Sequence, residues 1–178
     1  GWIKRTIFKQ FCGGETISEC SDAINTLGDF KVGTILDYSI EGKTLQEDFD
    51  ATVSEIIATI HAGKSNPNIP FAVFKVTGIA RFSILEKANS SISNLTSEEK
   101  IEFDQIVANV TKICKAAFEN NISVFIDAEE SWMQITALAA LANIGDPVSY
   151  KPLLKAATAV GFKYEATNAA EAFINYTK

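Results

Sequence analysis

Apolar residues recur along the first three quarters of the chain in two alternating periods. Ile17, Cys20, Ala23, Ile24 and Leu27 share one helical face and predict a helix over 16–27. Thr16 stands at its start with Glu19 three residues on, the pattern of a capping box. Residues 32–40 form a β-favouring run that includes Gly33 and is closed by Glu41 and Gly42, which predicts a buried strand. The helical period returns over 45–62, with Phe49, Val53, Ile56, Ile57 and Ile60 inward. A turn-rich loop over 63–70 leads to 71–77, a second strand that is apolar apart from Lys75 and Thr77. A short helix is predicted over 80–88 and a polar loop over 89–94. Thr96 and Glu99 then form a second capping box before a long helix whose apolar stripe runs from Ile101 to Phe118. Asn120 and Asn121 end that helix, and 122–128 predicts a third strand. Ahead of all this, Trp2 to Phe11 mixes basic and apolar residues at helical spacing until Gly13 and Gly14 break the pattern.

Strand, helix, strand, long helix, strand is the order of parallel βα units, and strand runs apolar on both faces suit a sheet covered by helices. The fold class is therefore α/β. The character changes near Ile135. Residues 135–178 hold 11 alanines, no arginine and no long strand pattern. Charge shifts as well: 12 basic against 19 acidic residues before position 135, and 4 against 3 after it. A boundary at 134/135 is expected, with a helical segment beyond it.

The 178 residues are enough for one core without staples. A net charge of −6 disfavours a general nucleic-acid partner, because phosphate binding needs clustered Lys and Arg. Cys12, Cys20 and Cys114 are odd in number and match no zinc spacing, so three reduced thiols in a reducing, cytoplasmic setting are expected. No apolar run reaches the roughly 20 residues of a membrane span, and no secretory signal is visible. His61 is a lone histidine late in a helix, and no metal site is expected. The tryptophans and the 12 phenylalanines are read as core rather than as a stacking platform. Gly13-Gly14 lacks the strand and the Lys-Ser/Thr of a phosphate loop.

Candidate chemistry gathers at the strand ends. The first strand closes on Asp37, Tyr38, Ser39, Ile40 and Glu41, the second on Lys75, Val76 and Thr77, and the third on Asp127, Ala128, Glu129 and Glu130. Parallel α/β folds bind ligands outside the carboxyl ends of their strands. A charge within a buried strand is costly unless paired. Lys75 thus reads either as a structural cation, paired with Asp37 or Asp127 or snorkelling to water, or as a cation offered to an anionic ligand. Asp37, Glu41 and Asp127 read equally as caps of the helices that follow them.

The run Gly33-Thr34-Ile35-Leu36-Asp37-Tyr38-Ser39-Ile40-Glu41-Gly42 resembles the first barrel strand of proline dehydrogenases. Phe74-Lys75-Val76-Thr77-Gly78-Ile79-Ala80-Arg81 resembles their lysine strand, and Phe125-Ile126-Asp127-Ala128-Glu129-Glu130-Ser131 their Asp-Ala-Glu strand. The three occur in family order over 1–134. The resemblance implies a distorted (βα)₈ barrel of the TIM type, present here in part, that binds FAD. It implies oxidation of L-proline to 1-pyrroline-5-carboxylate, with electrons passed to a quinone or other acceptor. By the same resemblance Lys75 meets the substrate carboxylate beside the flavin, Asp127 lines the same pocket, and Glu41 closes over the substrate through an arginine. It also implies membrane association at the quinone, and a mitochondrial location in a eukaryote.

The chain departs from that pattern. A barrel of this kind needs eight strands in about 250 residues, and three are legible. The family's paired arginines, which clamp the proline carboxylate, have no counterpart, since the only arginines are Arg5 and Arg81. An open partial barrel exposes strand edges and is expected to self-associate. The tail from Ala137 through Gly145-Asp146-Pro147 to Ala156 resembles a HEAT-type helical repeat. Residues 135–178 read otherwise as helices covering the sheet, with Phe162 to Ala166 as a possible fourth strand. Three functions follow from these features: a proline-oxidising flavoenzyme incomplete or inactive in this chain alone, a non-catalytic α/β and helical-repeat scaffold, or an unrelated enzyme using Lys75 as a Schiff-base amine.

Overall fold

Both predicted capping boxes leave their mark on the backbone, in different degrees. The computed structural model of the chain describes Thr6, Phe8 and residues 12–127 apart from 39 and 41. At the second box, the Thr96 side chain accepts from the Glu99 amide at 3.2 Å and the Glu99 carboxylate accepts from the Thr96 amide at 2.9 Å. At the first, Thr16 accepts from the Glu19 amide, but the Glu19 carboxylate turns to the amide of Glu15. The regular helix consequently starts later than predicted: α1 spans Ser21–Asp29. Gly14 packs closely on this turn: a Cβ there would lie 2.6 Å from the Glu19 Cβ.

The remaining elements are β1 (Ile35–Leu36), α2 (Gln46–Gly63), β2 (Phe71–Lys75), a 3₁₀ turn over Val76–Gly78, α3 (Phe82–Ser90), a second 3₁₀ turn over Ile92–Asn94, α4 (Ser97–Asn120) and β3 (Ser123–Asp127). The strands form one parallel sheet in the order β1-β2-β3. This is the expected α/β arrangement, with helices in each crossover, and it is consistent with part of a barrel. The helically spaced stretch over 2–11 apart from Thr6 and Phe8, the residues beyond 127 with their HEAT-like pattern, and Glu41 lie outside the described residues.

β1 is much shorter than the run over 32–40. Lys31, at φ +61°, and Val32 close the end of α1 by donating to Gly28 and Leu27, while the Thr34 amide donates to the Asn68 carbonyl at 2.6 Å. Those amides therefore serve a helix end and a loop rather than the ladder. β2 likewise stops at Lys75, two residues early, because the backbone tightens into a 3₁₀ turn closed by the Ile79 amide on Val76.

Alternation along β2 and β3 supplies the core. Ala72 and Phe74 of β2, with Val124 and Ile126 of β3, pack on Val53, Ile56 and Ile60 of α2 and on Val110, Ile113 and Ala117 of α4. A second cluster, led by Val76, Ile84, Leu85, Phe103 and Ile106, roots α3 against the N-terminal half of α4. The α4 stripe differs from the prediction at both ends. Phe103, Ile106, Val110, Ile113 and Ala117 are buried, whereas Ile101 is 72% and Phe118 68% exposed. The reason is angular: at 100° per residue, Ile101 stands about 200° from Phe103 and Phe118 about 100° from Ala117.

Two ion pairs tie α3 to α4. Arg81 donates through Nε and Nη2 to the Glu102 carboxylate at 2.7 and 2.5 Å. Lys87 donates to Glu99, so one carboxylate serves both the helix cap and the pair. All three cysteines are free thiols, and Cys12 is exposed.

These contacts generate two predictions. Phe74→Ala, which empties a fully buried site on the central strand, should lower stability by about 3–5 kcal/mol. Ile101→Ala, on the exposed side of α4, should change it by less than ~0.5 kcal/mol. Urea unfolding followed by circular dichroism checks both, and a large loss at Ile101 would contradict the orientation of α4. Burial also pushes the Cys114 thiol up to about 11, so only about one molecule in a thousand carries that thiolate at pH 8. Iodoacetamide should modify Cys12 first and Cys114 last, with Cys114 labelling rising as pH climbs toward 11. Peptide mass spectrometry over time reads the order.

Candidate functional site

The pairing register brings Lys75 and Asp127 together. Their Cα atoms are partners across β2 and β3, at the carboxyl end of both strands. Neighbouring strands lie about 4.8 Å apart, so the ammonium-bearing and carboxylate-bearing chains rise side by side. Lys75 is half-buried and Asp127 is exposed. Both stand on the sheet face opposite α2 and α4, because residues two apart share a face: Phe71, Val73 and Lys75 on β2, Ser123, Phe125 and Asp127 on β3. A lysine is tolerated within the strand because this alternation keeps it out of the helix-covered core.

The loops after β1 and β2 approach each other at the same end of the sheet. A Cβ at Gly78 would lie 3.6 Å from the Ile40 carbonyl oxygen and 3.7 Å from the Thr52 methyl. The backbone leaving β1 therefore passes over the turn leaving β2. Asp37 follows directly on β1 and is exposed. The sequence reading placed Asp37, Lys75 and Asp127 at three strand ends, and the three do follow three adjacent parallel strands.

Two features escaped the sequence reading. Phe71 and Phe125 do not join the helix-side core. They lie on the site face, stacked with ring centroids 4.7 Å apart and planes at 26°, and Phe125 is 48% exposed. Their even spacing, four residues before Lys75 and two before Asp127, was the available signal. Arg81, in turn, is committed: both guanidinium donors that it uses go to Glu102, and this bond raises its pKa further above the ordinary arginine value. Arg81 is thus a structural tie between α3 and α4 and is no substitute for a carboxylate clamp.

The arrangement offers a cation and an anion side by side above an apolar aromatic surface. That set can bind the charged end of a small amphiphilic molecule and shelter its hydrocarbon. It also suits a planar cofactor, whose ring wants an apolar face and whose polar edge wants a cation.

The sequence profile of the family described as proline dehydrogenase matches residues 20–164, a stretch that continues past Ile135. The protein named "Proline dehydrogenase 1, mitochondrial" of Dictyostelium discoideum is 30% identical over 170 aligned positions, covering 75% of this chain and 30% of that protein. Its namesake in Arabidopsis thaliana is 24% identical over 171 positions, covering 75% of this chain and 34% of its own length. The "Carbapenem antibiotics biosynthesis protein CarD" of Pectobacterium carotovorum subsp. carotovorum is 22% identical over 124 positions, covering 70% of this chain and 33% of that protein. The chain spans about a third of the length of these curated relatives. No solved structure matches it. The profile covers most of the chain and includes the strands that carry Lys75 and Asp127, so the chain belongs to the proline dehydrogenase family.

Proposed function

We propose that this chain carries the lysine–aspartate corner of a site at which L-proline is oxidised to 1-pyrroline-5-carboxylate with FAD as cofactor and a quinone or similar carrier as final acceptor. The observation that carries this reading is the Lys75–Asp127 register at the carboxyl ends of β2 and β3. Family membership supports it, as do two relatives whose names state the activity. A partial (βα) barrel is the matching architecture, and a mitochondrial location is proposed for a eukaryotic source. Among the described residues no helix is long and apolar enough to cross a membrane.

The residues present fit a flavin. Lys75 would offer a cation to the polar edge of the ring system, beside the substrate carboxylate that it also meets. When bound, FAD supplies the acceptor for the hydride that proline loses. The rest falls to the protein. Lys75 draws the proline carboxylate by a charge-assisted hydrogen bond. Asp127 favours the ammonium form of proline during binding and orients the ring nitrogen toward its side of the pocket. Glu41, which the family resemblance would have close over the substrate through an arginine, lacks that partner in this chain.

Carboxylate binding in this chain rests on Lys75 without an arginine pair. No arginine follows Arg81 in the sequence, and Arg81 is held by Glu102. The chain by itself is therefore expected to bind proline weakly and to turn it over slowly.

A visible spectrum tests the reading first. The purified chain, given FAD and desalted, should keep absorption near ~450 nm, a property of the flavin itself, and L-proline should bleach it slowly. Rapid bleaching would refute the need for an arginine clamp. A colourless chain that takes up no FAD would leave the motifs as ancestry and favour a scaffold role. Lys75→Met should then weaken proline binding at least ~10-fold, in line with the loss of one charged hydrogen bond. Arg81→Gln should leave proline binding within about twofold while lowering stability by roughly 1 kcal/mol or less, because that pair is partly exposed. Titration by calorimetry, alongside thermal melting, separates the two roles.

A further inference from the structure

We infer that Phe125, held by its stack on Phe71, is the floor of the site and sets the largest ring that the site accepts. The inference rests on the proposed binding of a cyclic amino acid between Lys75 and Asp127, and it assigns specificity to a residue outside the charged pair.

The sheet itself builds the floor. Strand residues rise about 3.3 Å each, so Phe125 lies roughly 6.6 Å below Asp127 on the same face, and Val73 lies equally far below Lys75. Val73 and Phe125 are register partners, so together they form the layer directly beneath the charged pair. One layer lower, Phe71 is partnered by the small Ser123. The space above Ser123 lets the Phe71 ring cross over and meet Phe125 at 4.7 Å. Stacking fixes the Phe125 ring from below, while 48% of the residue remains exposed. An aromatic ring held in this way cannot be pushed toward the helices, because Ala72, Phe74 and Ile126 already fill the opposite side of the sheet.

The chemistry of the ligand completes the argument. A cyclic amino acid has one charged end and a saturated apolar ring. With the charges at Lys75 and Asp127, the methylenes must lie toward Val73 and Phe125, where burying them is favourable. Adding a methylene to the ring drives it into Phe125. Removing the phenyl ring opens that depth.

The test compares three homologues that differ only in ring size: azetidine-2-carboxylate, L-proline and L-pipecolate, with four-, five- and six-membered rings. Binding to the full chain supplied with FAD is measured by calorimetry and by thermal shift, so no turnover is required. Affinities on the order of millimolar are expected without the arginine pair, and the readout is their ratio. The wild-type chain should prefer proline over pipecolate by at least ~10-fold, the scale of one methylene in a fitted pocket. Phe125→Ala should bring that ratio to about one or invert it. Phe125→Leu, which retains bulk and safeguards the fold, should bring it part of the way. Lys75→Met, by contrast, should weaken all three ligands alike. If both Phe125 variants are folded and bind with the wild-type ratio, the floor assignment is overturned while the proline reading stands. If the wild-type chain binds none of the three amino acids, the proline reading falls and this inference falls with it.

Discussion

The structure depends on the central position of β2. Flanked in parallel by β1 and β3, it is the only described strand with neighbours on both sides, and its five residues serve two opposite environments. Ala72 and Phe74 turn to the helices, and Phe74 is fully buried between α2 and α4. Phe71, Val73 and Lys75 turn the other way. The same pleat that sinks Phe74 into the core therefore holds Lys75 out of it. A shift of one residue in register would bury the ammonium and expose the phenyl ring, so the energy of the core also maintains the site.

The helices act through this strand. Ile56 and Ile60 of α2 and Val110 and Ile113 of α4 press on it from one side. Arg81 and Glu102, with Lys87 and Glu99, keep α3 attached to α4 just after the Lys75 turn. The backbone at Ile40 lies against that turn, its carbonyl oxygen 3.6 Å from where a Cβ on Gly78 would stand. The loops after β1 and β2 at the carboxyl end of the sheet are thus positioned by helix packing. This is how parallel βα folds place variable chemistry on a rigid base.

Much of this was legible in the residues, and the misses have a common origin. The helices over 46–63 and 97–120 were evident because their period and caps are local. The polar strand ends at Asp37, Lys75 and Asp127 stood out against apolar runs. Phe71 and Phe125 read as core from composition, which cannot say which face of a strand a phenylalanine occupies. A count of apolar residues places Ile101 and Phe118 in the α4 stripe because it ignores the angle at which each one leaves the helix.

Local pattern and linear motif order carry the α/β class, the order of the elements, the capping of α4 at Thr96 and the family to which the chain belongs. These depend on residues within a few positions of one another, or on motifs in linear order. Only the tertiary structure decided how short β1 is, which carboxylate holds Arg81, and that Lys75 stands opposite Asp127 with Phe125 one layer below. The Arg81–Glu102 and Lys75–Asp127 pairings join residues about 20 to 50 positions apart, and the Thr34 amide that leaves the ladder goes to Asn68. A backbone amide or a guanidinium spends its hydrogen bonds on whichever partner the packed helices bring within reach, and no local pattern encodes that choice.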